Sequence, residues 1–269
     1  MLGAIIGDIV GSRFEHNNYK GKDFKLCHAE CRFTDDTVLT AAVAEALLED
    51  GNFTQALKKF YRAYPHAGYG GYFQAWARSD ARQGYHSFGN GSAMRVSPVA
   101  WFYDDFELVL EQAAASARVT HNHPEGIKGA QAVATAIFRA RQGEDKSQIR
   151  KDLEDRFGYA LRRTPHQIRP GYQFDVTCQG SVPEAICCFL DAADFEDAIR
   201  AAVSIGGDSD TIACITGSIA EAYFGGVPEE ISRWAWSRLD TRLQEVVKRF
   251  QSALSRQLRS SECSDSELF

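Results

Sequence analysis

Helical periodicity runs through almost the whole chain, and no stretch alternates β-branched and polar residues as a half-buried strand would. Apolar residues at i, i+3 and i+4 spacing, or Ala/Leu/Glu-rich composition, predict helices over 37–48, 54–64, 107–119, 126–142, 182–192, 195–205, 212–224 and 229–258. The fold class expected is therefore all-α. No linker divides the chain and no repeat recurs, so one compact helical domain is expected over 1–258. The Ser/Glu-rich tail 259–269 is expected to be disordered.

Two of these helices, 37–48 and 212–224, are rich in small residues, and both pass through Ala-Glu-Ala. Small side chains let helix backbones come close, so both are expected to be central and buried. Gly3, Gly7 and Gly11 recur every fourth residue and would line one face of a further helix. Each glycine costs about 1 kcal/mol relative to alanine in a helix, a cost that close packing would offset. Between helices, 64–91 reads as a flexible, aromatic, Gly-rich rim, and 162–179, with Pro165 and Pro170, as a long connection.

A net charge of -6 argues against gripping nucleic acid through its phosphates, which needs a basic face. Seven scattered cysteines give no disulfide framework and fit reduced thiols in a cytoplasmic setting. No apolar run approaches the ~20 residues of a membrane helix.

Chemistry concentrates in two places. Thr34-Asp35-Asp36 and Asp208-Ser209-Asp210-Thr211 each stand at the start of a small-residue helix, the second after the pair Gly206-Gly207 that permits a tight turn. Asp and Thr there are ordinary caps when taken singly. Two such clusters, at the starts of two buried helices, would instead face one oxygen-rich site. Ionised carboxylates and hydroxyls are hard ligands suited to Mg²⁺, Mn²⁺ or Ca²⁺, and four carboxylates in one place would repel one another without cations.

Other features are weaker alone. Phe88-Gly89-Asn90-Gly91-Ser92 is a Gly-rich turn whose backbone N–H groups could cradle phosphate, and it matches neither a P-loop nor a dinucleotide fingerprint. His121-Asn122-His123 and Cys27-His28 with Cys31 lack the further ligands that zinc needs. Glu15 is a candidate movable carboxylate, and Asp8 a cap or a buried hydrogen-bond partner.

In order, the segments GAIIGDIVGSRFE (3–15), FTDDTVLT (33–40), SFGNGSAMRVSPVA (87–100), THNHPEGIKGAQA (120–132) and SIGGDSDTIACITGSIAEAYFG (204–225) resemble the ADP-ribosylglycohydrolase family. Their joint presence, order and spacing carry the resemblance from residue 3 to about 225. It implies an all-α fold with a dinuclear site, two Mg²⁺ or Mn²⁺, at the mouth of a central cleft. Thr34, Asp35, Asp36, Asp208, Asp210 and Thr211 would ligate the metals. Glu15 matches the family's mobile glutamate, Phe88 an aromatic that stacks on adenine, Gly89, Asn90, Gly91 and Ser92 the diphosphate and ribose pocket, and His121 a ligand-contacting polar position.

The activity so implied is hydrolysis of the bond from ADP-ribose to an acceptor: arginine, serine, a nucleic-acid base or a small molecule. Asp36 and Asp210 are the candidates to deprotonate the attacking water. Partners would be ADP-ribosylated protein, nucleic acid or small molecule, with ADP-ribose as product. Two other readings stay open: a non-catalytic ADP-ribose-binding module, and a hydrolase of another nucleotide-like substrate on the same scaffold. The segments 64–85 and 162–174 are expected to form the rim that selects the acceptor.

Overall fold

The computed structural model describes the backbone of residues 1–266 and the side chains of residues 1–257. Its helices run α1 (Leu2–Gly11), α2 (Asp35–Leu48), α3 (Phe53–Ala63), α4 (Gly71–Arg78) and α5 (Gly91–Met94). They continue with α6 (Ser97–Phe102), α7 (Phe106–Arg118), α8 (Pro124–Arg141), α9 (Lys146–Phe157) and α10 (Pro165–Ile168). The last five are α11 (Cys178–Asp191), α12 (Phe195–Ile205), α13 (Ser209–Tyr223), α14 (Glu229–Trp236) and α15 (Thr241–Ser266). Among the described residues the one β-type pairing is an isolated bridge between Gly89 and Thr177. The fold is all-α.

The small-residue helices take the centre, as their composition predicts. Every residue of α2 from Asp36 to Leu47, and of α13 from Ser209 to Ala220, is buried. A helix apolar or small all round has no face to offer water, so each is surrounded by others. Helix α1 lies against α13 at backbone contact: a Cβ built on Gly3 would come within 2.2 Å of the Gly217 carbonyl oxygen, and one on Gly11 within 2.4 Å of that of Ser209. Their ends are tied as well. The Glu221 carboxylate of α13 accepts the backbone N–H groups of Leu2 (3.2 Å) and Gly3 (2.8 Å), which have no partner inside α1. Helices α2, α8, α11 and α12 pack around this pair.

The boundaries depart from the periodicity in instructive ways. The expected helix 229–258 is two helices, because Asp240 accepts the Leu243 N–H (2.9 Å) and starts α15 afresh. The 64–91 stretch contains α4 rather than only a flexible rim, and 162–179 contains α10 and the first residues of α11. Helix α9 has no counterpart among the periodic segments. Its mostly charged sequence buries just Ile149 and Leu153, and a capping box at Asp145 and Gln148 defines its start. Helix α15 carries its helical backbone into 259–269, the expected tail, whose side chains lie outside the described residues. Among the described residues no helix is long and apolar enough to cross a membrane. The six described cysteines are unpaired and, Cys27 apart, buried.

Candidate metal centre and the cavities beside it

Chain entry into α2 is organised by a buried carboxylate from α1. Asp8 accepts the Thr34 N–H (2.9 Å), the Thr37 N–H (3.0 Å), the Thr34 hydroxyl (2.6 Å) and the Thr37 hydroxyl. It is a buried hydrogen-bond partner that caps α2 from another helix. Because the Thr34 hydroxyl gives its proton to Asp8, only lone pairs remain for its other contacts, and one accepts the Asp36 N–H (3.3 Å). Such a hydroxyl is an oxygen ligand in waiting.

The start of α13 is reached through Gly206 and Gly207, at φ +71° and +78°. These left-handed values suit glycine alone, and a Cβ on Gly207 would meet the Tyr172 ring at 2.4 Å. The turn brings Asp208, Asp210 and Thr211 against the start of α2. Thr211 Oγ1 donates to Asp36 Oδ1 (3.4 Å), joining residues that are distant in sequence. Glu15, Asp208 and Asp210 each offer an oxygen, all within 4.8 Å of one another. Asn90 Nδ2 fixes Asp208 at 2.7 Å and also reaches Ser181 Oγ at 3.1 Å.

Burial first, and then mutual repulsion, raises Asp35, Asp36 and Asp210. Asp36 is held well above the usual carboxylate range by burial and by the charges of Asp8, Asp35 and Asp208. Asp210 is likewise held by burial and by Asp208, Asp36 and Glu15. Asp35, which lines the cavity wall, is pushed up to about 8 by burial, Asp8 and Asp208. Burial also raises Glu15, opposed by His16. Among the described residues the one basic side chain within ion-pair reach of the cluster is His16, 3.7 Å from Glu15 and itself exposed. Buried Asp36 Oδ2 has no hydrogen-bond partner. Carboxylates gathered out of water with no described lysine or arginine within ion-pair reach fit a site for hard divalent cations.

Two cavities meet at this cluster. One, of 340 Å³, is lined by Glu15, Asp35, Asp36, Asp208, Asp210 and Thr211 and by Gly89, Asn90, Gly91, Arg95 and His121. The other, of 520 Å³, is walled by Phe33, Thr34, Tyr64 and His66 and shares Glu15, Asp35, Gly68 and Asp210 with the first. A third, of 670 Å³, lies against α13 and α15, and its carboxylates Asp104 and Glu221 are already paired with Arg141 and Met1. Carboxylate convergence, not volume, distinguishes the first two.

The Gly-rich turn is pinned rather than free. The Asn90 N–H donates to the Val176 carbonyl (2.8 Å) and the Cys178 N–H to that of Phe88 (2.9 Å). Phe88 is 45% exposed and packs edge-on to His123 at 5.4 Å, outside the residues lining the cavity. Ser92 points elsewhere: fully buried, it donates to the Gly126 carbonyl (2.7 Å) and sits 3.7 Å from Cys178 Sγ. Tyr72, Tyr85 and Phe174, from the segments expected to form the rim, also line the cavity, together with Arg95 and Val176, which sequence reasoning did not single out. Tyr72 and Tyr85 stack at 6.2 Å, an arrangement that only the folding of α4 back over 84–88 creates.

Comparison with known proteins agrees with the fold. The ADP-ribosylglycohydrolase family profile matches residues 1–261. The ADP-ribosylhydrolase ARH3 of Homo sapiens is 27% identical, over 94% of this chain and 93% of its own. The ADP-ribosylarginine hydrolase Tri1 of Pseudomonas putida (strain GB-1) is 28% identical, over 93% of this chain and 77% of its own. A solved ADP-ribosylglycohydrolase-related protein complex superimposes with a TM-score of 0.72 at 26% identity, over 95% of this chain and 96% of the other. Sequence profile and superposition both span nearly the full length, so the chain belongs to the ADP-ribosylglycohydrolase family.

Proposed function

We propose that the chain hydrolyses the glycosidic bond joining ADP-ribose to an acceptor, with the ADP-ribosyl group in the 340 Å³ cavity and the acceptor in the 520 Å³ one. The observation that carries this reading is the position of the acid cluster where the two cavities meet, with Glu15, Asp35 and Asp210 on the walls of both. A bond cleaved there would leave one fragment on each side. ARH3 and Tri1 are named for removing ADP-ribose, which supports the same substrate class.

Two Mg²⁺ ions, or Mn²⁺, are the cofactors the donor set suits, with Thr34, Asp35, Asp36, Asp208, Asp210 and Thr211 as ligands. Bound there, they would supply positive charge against the carboxylates and make a water more acidic. The protein's own residues do the rest. Asp36, with one oxygen unpartnered, and Asp210 are the candidates to take the water's proton. Asn90 keeps Asp208 from turning away. Glu15 stands half-buried at the junction of the cavities, where a turn of its side chain would open or close the passage.

ADP-ribosyl-arginine, ADP-ribosyl-serine and ADP-ribosylated DNA, each incubated with and without Mg²⁺, test the proposal. Metal-dependent release of free ADP-ribose from any of them is the expected result. Cleavage of other nucleotides, with all three conjugates intact, would move the activity to a different substrate. ADP-ribose binding with no release from any conjugate would make the chain a binding module.

Two further outcomes follow from the same reading. Saturating Mg²⁺ should raise the melting temperature by about 5 °C or more, reversibly with chelator, since a ligand at ~100 times its Kd contributes about 2.7 kcal/mol. No shift with Mg²⁺ or Mn²⁺ would count against the metal site. Phe88→Ala, which removes an exposed ring at the rim, should raise KM about ten- to a hundredfold with kcat nearly unchanged, as loss of base stacking does. A fall in kcat at constant KM would remove Phe88 from adenine recognition.

A further inference from the structure

The floor of the 340 Å³ cavity contains a cation with no counter-ion. Arg95 lines that cavity, is fully buried, and among the described residues no carboxylate lies within ion-pair range of it. Its Nη2 donates to the Ser116 carbonyl (3.1 Å) and to Thr120 Oγ1 (2.7 Å), while Nε and Nη1 have no hydrogen-bond partner. A buried unpaired guanidinium costs several kcal/mol. Burial pulls Arg95 down to about 10, so it remains charged at neutral pH.

The same Thr120 hydroxyl lies 2.7 Å from His121 Nδ1. A hydroxyl has one proton and two lone pairs. The guanidinium can only donate, so Thr120 Oγ1 accepts from Arg95 and its own proton has one described acceptor, the unprotonated Nδ1. The opposite arrangement would give the oxygen two donors and leave the hydroxyl proton unbonded in a buried place, at a cost of about 1–3 kcal/mol. With Nδ1 accepting, the imidazole carries its hydrogen on Nε2. That edge faces the Gly-rich turn, where Cβ atoms built on Gly89 and Gly91 would lie 3.4 and 3.2 Å from Nε2. Burial and then Arg95 also hold His121 well below the usual histidine range, so the ring stays neutral.

We propose that Arg95 is a positioning residue for His121: through the Thr120 hydroxyl it locks the imidazole as a donor whose Nε2–H is presented to the cavity. The idea rests on the reading that this cavity receives ADP-ribose, and it adds the chemistry His121 selects there, a hydroxyl or phosphate oxygen that accepts a hydrogen bond. A group that can only donate is rejected at that place.

The test reads the tautomer directly in the full chain, free of substrate, by long-range ¹H–¹⁵N correlation of ¹⁵N-labelled histidine. The wild type should show His121 as Nε2–H. Thr120→Val should lose that preference and weaken ADP-ribose binding in calorimetry about tenfold, and Thr120→Ser should restore both. Arg95→Met, which replaces an unpaired buried charge with an apolar chain of similar length, should lose the preference as Thr120→Val does. An Nδ1–H wild type, or a Thr120→Val or folded Arg95→Met protein that keeps Nε2–H, overturns the proposal. If Arg95→Met does not fold, the wild-type and Thr120 spectra decide. Failure of ADP-ribose to bind the wild type would strike the substrate reading instead, and leave the tautomer result standing.

Discussion

Asp210→Asn is expected to lower turnover about a thousandfold or more, about 4 kcal/mol in the barrier, while the metal-free protein melts above the wild type. The two effects have one cause. Asp210 is buried at the start of α13 among Asp208, Asp36 and Glu15, and its raised proton affinity registers burial and then the repulsion of those neighbours. The amide has the same shape, and its oxygen can still accept the Thr211 N–H that Asp210 Oδ1 accepts at 3.0 Å. Packing is therefore preserved while one repelling charge is removed, which stabilises the empty protein. The same change removes a cation ligand and a candidate base. The stabilisation by Mg²⁺ should shrink with the activity. A purely structural Asp210 predicts the reverse: a lower melting temperature and turnover that falls no further than the folded fraction. Thermal melts with and without Mg²⁺, beside ADP-ribose release, separate the two.

That cluster was legible because its signal is local. Thr34-Asp35-Asp36 and Asp208 to Thr211 stand at the starts of helices, where caps are expected, and repeating the same oxygen chemistry at two small-residue helices pointed to one shared site. Helix α12 was readable to the residue, because its apolar face is regular between Asp194, which caps it, and Gly206. Where the periodic signal is thin, the reading ran out. Helix α9 buries two side chains, and α14 and α15 are separated by the cap at Asp240 inside an otherwise continuous pattern. The cavity floor was less legible still. Arginine is almost never buried without a partner, so nothing in the sequence marks Arg95 as the fully buried cation beneath Thr120 and His121. Ser92 shows the converse: it stands in the right motif, yet its hydroxyl is turned to Gly126 because α5 packs against α8 there.

The glycine stripe of α1 bears on the site through packing, and Gly7→Ala tests it. Alanine is the better helix former by about 1 kcal/mol, so on propensity alone the substitution would stabilise the protein. The contact reverses that sign. A Cβ at residue 7 would lie 2.0 Å from the Ala213 carbonyl oxygen, 2.3 Å from its carbonyl carbon and 2.6 Å from the Cys214 nitrogen. All three are backbone atoms of α13, so no side chain can swing aside, and the helices must separate by about 1 Å or more. Gly3 and Gly11 are as tightly placed against Gly217 and Ser209, which prevents the pair from pivoting about one end. The net cost is expected to reach about 3 kcal/mol, a large part of the roughly 5–15 kcal/mol that holds a domain folded, and to lower the melting temperature by about 10 °C. Gly171→Ala is the matched control: a Cβ there meets nothing within 4 Å and its φ is not left-handed, so stability should stay within about 0.5 kcal/mol of wild type. Because the first turn of α13 carries Asp210 and Thr211, a Gly7→Ala protein still folded at low temperature should also lose turnover, as Thr211 and Asp36 are drawn apart. Equal melting temperatures for Gly7→Ala and wild type would mean that α1 and α13 do not touch as described, and the support for the carboxylate cluster at the head of α13 would go with that contact.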